Sequence, residues 1–94
     1  MKEDIIRFLD DEQKIKIWPS KVEKKIQILE YLATKFEYGK IYSEKEVNTI
    51  IEDWHSFNDY FLLRRALVDY KLLCRTRNGA QYWRESAISN VFPC

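Results

Sequence analysis

Glycine, proline, cysteine and histidine are all scarce in this chain, which has two, two, two and one of them among 94 residues. Glycines at 39 and 79 alone do not make a loop that cradles phosphate, and no nucleophile stands at usable spacing from a base. Enzymatic activity is therefore not expected, and neither is a cofactor. His55 has no second histidine or cysteine at ligand spacing, which argues against a zinc site. Cys74 and Cys94 are too few for a disulfide scaffold, so reduced thiols are the simpler expectation, with an interchain Cys94 bond on oxidation as the alternative. Apolar runs fall far short of the roughly 20 residues that span a bilayer, and Glu3 and Asp4 precede the first of them. That pattern points to a cytoplasmic chain with no membrane partner. Charge of one sign is lacking too: 16 basic against 15 acidic residues give a formal net charge of +1, so any pull on nucleic acid must come from a local patch.

What the chain does have is apolar and aromatic residues in periodic order. Its length suits one domain with one core, and an apolar share of 46% is ordinary for a globular protein. Ile5, Ile6, Phe8 and Leu9 predict a short amphipathic helix over residues 2–9. Ile15 and Ile17 alternate with polar neighbours before Pro19, as in an edge-like extended segment. Residues 1–19 are thus expected to pack as an extension beside a core at residues 20–84, with 85–94 as a weakly patterned tail.

Ser20 followed by Glu23 reads as a capping box, in which the hydroxyl accepts from a free first-turn N–H and the carboxylate reaches back. The stripe Val22, Ile26, Leu29, Ala33 and Phe36 predicts a first helix running to about Glu37. Lys40 to Tyr42 is short and β-prone. Ser43 with Glu46 is a second capping box, opening a helix with Val47, Ile50, Ile51 and Trp54 on one face. A turn at residues 55–58 precedes a third helix from about Asp59 to Tyr70 or Lys71. At about 100° per residue, Tyr60, Leu63, Ala66, Leu67 and Tyr70 form its core face, and Asn58, Phe61, Arg65 and Asp69 its outer face.

Residues 72–77 and 80–84 then read as a hairpin turned at Asn78-Gly79, because a two-residue loop needs positive φ at both central positions and these types tolerate it best. Tyr82 and Trp83 project to opposite hairpin faces, and Trp83 is expected to be the more buried. The order helix, strand, helix, helix, strand, wing, strand predicts an α+β, mainly helical fold: a winged helix-turn-helix with a small antiparallel sheet and an extra N-terminal segment.

From Trp18 to Arg84 the chain resembles the bacterial domain of unknown function family 2087. The resemblance rests on Trp18-Pro19, the stretch from Tyr42 to Asn48, Trp54-His55, Asp59, the stretch from Leu63 to Asp69, Asn78-Gly79, and Tyr82-Trp83-Arg84. It implies a winged-helix-like regulator domain and supplies no binding site. Phe61 and Leu62 stand where the family commonly has small or hydroxylated residues, which puts apolar bulk beside the reading face. Lys71 stands where a glycine often ends the third helix.

Duplex DNA is the expected partner, read by the third helix in the major groove with the wing at Arg75 to Gln81 on the backbone. The candidate contacts are Asn58, Arg64, Arg65, Lys71, Arg75, Arg77, Asn78 and Gln81. Against each stands an ordinary structural role. Arg64 suits a pair with an acid such as Asp59, Asp53 or Glu46 that fixes the angle between helices. Wing charges protect a hairpin edge from aggregation. His55 suits a helix-ending histidine bonded to backbone carbonyls. The alternative function is a protein-interaction or dimerisation module of the same shape, since Tyr31, Tyr38, Phe57 and Phe61 are candidates for exposure.

Overall fold

The order of elements follows from where the chain can satisfy its helix ends. A computed structural model describes residues 5–84. It contains helices α1 (Val22–Ala33), α2 (Glu44–Asp53) and α3 (Tyr60–Asp69), and strands β1 (Ile41–Tyr42), β2 (Cys74–Arg75) and β3 (Tyr82–Trp83), with a 3-10 turn at Ile6–Phe8 before them. The strands form one antiparallel sheet in the order β1-β3-β2, with Tyr82 opposite both Tyr42 and Arg75, and Trp83 opposite both Ile41 and Cys74. This is the α+β, mainly helical architecture that the sequence predicts.

Capping separates the helices. At α2 the box forms as expected: Glu46 N–H donates to Ser43 Oγ at 3.1 Å, and Ser43 N–H donates to the Glu46 carboxylate at 2.8 Å. At α1 it does not, because the helix begins one residue later, with Lys21 as the N-cap and no side-chain bond there. That shift places Glu23 at the second helical position, out of register for the reciprocal bond. The helix also ends at Ala33 rather than near Glu37. Phe36 still reaches the core beyond it, 1% exposed, with its ring edge-on to Tyr42 at 5.2 Å.

The core lies between the three helices and one face of the sheet. Ile28, Leu29 and Leu32 of α1, Val47 and Ile51 of α2, and Leu63 and Leu67 of α3 are fully buried. Each contributes about 1.5–3 kcal/mol relative to exposure. The N-terminal segment shares this core instead of lying beside it: Ile5, Phe8 and Leu9 are buried with it, and Ile15 is wholly enclosed. Ile15 N–H donates to Trp54 O at 2.8 Å, and Ser56 N–H donates back to Ile15 O at 2.9 Å. Two backbone bonds therefore stitch this segment to the turn between α2 and α3.

The aromatic pair on β3 is the reverse of the expectation. Tyr82 is 2% exposed while Trp83 is only half-buried. The register explains it, since Tyr82 shares the helix-facing side with buried Tyr42, and its hydroxyl donates to Glu44 Oε1 of α2 at 3.4 Å. Tyr70, expected in the core, is 37% exposed, because it lies past the last residue of α3. Tyr38 and Phe61 are exposed as expected, whereas Tyr31 and Phe57 pack partly against the core. Cys74 is disulfide-bonded, which corrects the reading of it as a reduced thiol. The expectations for residues 1–4 and for the tail, including Cys94, fall outside the described residues. Among the described residues no helix is long and apolar enough to cross a membrane.

Candidate nucleic-acid interface

The turn that sets α3 against α2 is built around the one histidine. His55 is 5% exposed; its Nδ1 lies 2.6 Å from Ile51 O, and Asp59 N–H donates to its Nε2 at 2.9 Å. Because Nε2 accepts, the ring proton sits on Nδ1 and is donated to the carbonyl that ends α2. One neutral imidazole thus joins the end of α2 to the start of α3. Asn58 takes φ +58°, and Asp59 caps α3 through Oδ1, which accepts from Leu62 N–H at 3.2 Å. The expected role of His55 at a helix end is what the structure has, with the Asp59 amide as a second partner.

Arg64 and Arg65 leave α3 in different directions, as adjacent helical positions must. Arg64 turns toward α2: its side chain is 13% exposed, it donates to Asn48 Oδ1, and its Nη2 lies 3.9 Å from Glu44 Oε1. Its guanidinium also lies 5.2 Å from the Phe61 ring centroid. It ties the two helices together, as its structural alternative anticipates, although through Glu44 and Asn48 and not through the acids named from sequence. Arg65 faces outward with 73% of its side chain exposed and lies 3.8 Å from Asp69, one helical turn on. That separation is beyond a hydrogen bond, and an exposed pair of this kind is worth well under about 1 kcal/mol, so the guanidinium stays available.

The wing differs from the tight hairpin expected. Strand pairing stops at Arg75 and resumes at Tyr82, leaving residues 76–81 as its loop. Only Gly79 takes positive φ there, at +73°, so the two-residue turn that needs it at both Asn78 and Gly79 does not form. Side chains hold the loop instead. Asn78 Oδ1 accepts from Ala80 N–H at 3.0 Å and from the Thr76 hydroxyl at 2.8 Å, and Thr76 Oγ1 accepts from Gln81 N–H at 3.2 Å. Arg75 folds back onto the same loop, donating to Thr76 O at 3.2 Å and Arg77 O at 3.1 Å. Arg77 and Gln81 are exposed and have no hydrogen-bonded or ionic side-chain partner among the described residues.

Helix and wing meet at a cleft of about 330 Å³ lined by Arg64, Arg65 and Arg75 together with Glu44 and Asp69. Phe61 forms part of its rim and is 56% exposed. Of the eight candidate contacts, three guanidinium groups therefore converge here. Arg77, Asn78 and Gln81 border the neighbouring wing surface, and Asn58 and Lys71 lie in the turns at the two ends of α3. The sequence reading missed Glu44, whose carboxylate joins Arg64 to Tyr82 across three elements. Its place beside Ser43 marks only a helix start, and nothing local in the sequence places the later partners near it.

Compared with protein families, residues 14–84 match one described as an uncharacterized protein conserved in bacteria, DUF2087. No curated protein and no solved structure matches the chain.

Proposed function

The chain belongs to this uncharacterised bacterial family, and from that premise we propose that it is a transcriptional-regulator module that binds duplex DNA through the wing and α3. The supporting observation is the disposition of charge. Arg75 of the wing bonds to backbone carbonyls, and Arg77 at the loop is exposed with no carboxylate paired to it among the described residues, so neither guanidinium is held in an ion pair there. Arg65 adds a third exposed guanidinium across the same cleft.

The wing is accordingly the phosphate-binding element, and α3 sits along the groove with Arg65 as its main contact. Arg64 contributes by holding α3 on α2, not by touching DNA. Base discrimination along α3 is weak, because Phe61 presents a ring and Asp69 a negative charge where polar readers of base edges would stand.

Titration of random duplex DNA at several salt concentrations tests the proposal. The logarithm of the affinity is expected to fall linearly with that of salt, by about 0.9 per phosphate contacted, and Arg77→Ala is expected to lower the slope by roughly one contact. Absence of salt-dependent binding refutes it. One observation favours the second reading, an interaction or dimerisation module: the 56% exposure of Phe61 on the outer face of α3. Sedimentation analysis that finds salt-insensitive self-association, lost in Phe61→Ala, selects that reading.

A further inference from the structure

We infer that the cleft between α3 and the hairpin is a binding site for a single unstacked nucleotide, an aromatic heterocycle carrying phosphate. Its volume of about 330 Å³ lies at the lower end of small-molecule sites and is far too small for a duplex. The lining mixes two chemistries. Phe61 offers a ring that is 56% exposed, with Val68 further along α3. Arg65, on the same face of α3, and Arg75 of the wing supply cationic donors. The Arg65 pair with Asp69 is longer than a hydrogen bond, and Arg75 uses Nε and Nη2 on loop carbonyls, which leaves Nη1 unbonded among the described residues.

The lining also carries a polar set. Tyr82, 2% exposed, donates its hydroxyl to Glu44 Oε1 at 3.4 Å, and Arg64 approaches the same oxygen at 3.9 Å. Both contacts are long for hydrogen bonds, so the Glu44 carboxylate lies at the cleft, half exposed, with acceptor capacity to spare.

Each part answers to a part of a nucleotide. A base stacks on Phe61, with the Arg64 guanidinium 5.2 Å from that ring adding cation–π character. Glu44 and Asp69 accept from an exocyclic amino group, and phosphate takes the Arg65 and Arg75 donors. Three guanidinium groups against two carboxylates leave the cleft one positive charge in excess, the sign that a phosphate requires. The same chemistry is offered by a free mononucleotide and by an unpaired position of a single strand.

Calorimetric titration of the whole chain with adenosine monophosphate, ribose 5-phosphate and a five-nucleotide oligo-dA tests this. Adenosine monophosphate is expected to saturate, with ribose 5-phosphate at least about tenfold weaker because it cannot stack. Phe61→Ala is expected to weaken adenosine monophosphate about fivefold or more, and Phe61→Trp to retain it. If only oligo-dA binds and Phe61→Ala weakens it, the site still stands and its source is an unpaired strand. Failure of adenosine monophosphate and oligo-dA alike to bind overturns the inference, as does binding that Phe61→Ala leaves unchanged when circular dichroism shows the native fold. Arg77→Ala, outside this cleft, is expected to leave adenosine monophosphate affinity intact while weakening duplex DNA, so the two proposals fail separately.

Discussion

Replacing Lys71 with glycine is expected to stabilise this protein, although lysine has the better helix propensity. The reason lies in how α3 stops. Lys71 takes φ +66°, its N–H donates to Val68 O at 3.0 Å, and the next amide, of Leu72, reaches back to Leu67 O at 2.9 Å. These two bonds make a Schellman motif, in which the residue after the C-cap is left-handed and is normally glycine. A side chain in that conformation costs about 1–2 kcal/mol, because Cβ crowds the following carbonyl oxygen. Glycine removes that cost but gives the unfolded chain extra freedom worth about 0.4–1 kcal/mol. The net gain expected for Lys71→Gly is about 0.5–1 kcal/mol, which raises the melting temperature by roughly 2–6 °C in a domain this size. Lys71→Ala is the control, since it loses the same side-chain contacts and keeps the strained backbone. Urea unfolding of both variants, with m unchanged, is the assay. A Lys71→Gly variant no more stable than Lys71→Ala refutes the reasoning.

Other predictions concern the caps and the titrating groups. Ser43→Ala is expected to cost about 1 kcal/mol by removing the N-cap of α2, measured by the same unfolding assay. Glu46 titrates below the ordinary carboxylate range because the Ser43 amide and then the Ser43 hydroxyl favour its charged form. Its contribution is therefore present above the unfolded value and fades as pH falls through the lowered one; Glu46→Gln should flatten that acid limb. Tyr31 titrates above the usual phenol value, first through burial and then through Asp10, so the associated stability is lost as pH rises through the raised value. Absorbance titration of the wild type against Tyr31→Phe should show one late-ionising phenol missing. His55→Phe is expected to cost about 1–3 kcal/mol, because it strands the buried Ile51 carbonyl and the Asp59 amide; a variant as stable as the wild type would contradict the role given to the ring.

Much of the fold was legible wherever a signal is local. The Ser43 box and the buried residues Val47, Ile51, Leu63, Ala66 and Leu67 of α2 and α3 depend on residues three or four apart, and the structure has them where periodicity puts them. The misreadings occur where a local signal meets a longer-range competitor. Asn78-Gly79 favours a tight turn in isolation, but the Thr76 hydroxyl and the Asn78 carbonyl take the loop amides first and widen it. Trp83 is the larger apolar surface, yet the register of β3 between β1 and β2 decides which of two neighbours faces the helices. Ile15 looked peripheral because its two backbone partners, Trp54 and Ser56, lie some forty residues away in sequence.

Arg64, one of the candidate contacts, is the poorest probe of binding, and geometry explains why. Arg64 holds α3 against α2 through Asn48 and Glu44, and Glu44 in turn accepts from Tyr82 of the sheet. Removing it frees a carboxylate in the cleft and unpins the helix that carries Arg65. A loss of affinity in Arg64→Ala would therefore follow whether or not that side chain meets a phosphate. Arg77 lacks such ties: it lines the exposed wing surface, and no described carboxylate pairs with it. Its removal subtracts one unit of positive charge and leaves the helix frame untouched, so a change in salt slope there reports contact directly. In a chain of net charge +1, single charges carry unusual weight, and the informative ones are those that the fold does not already use.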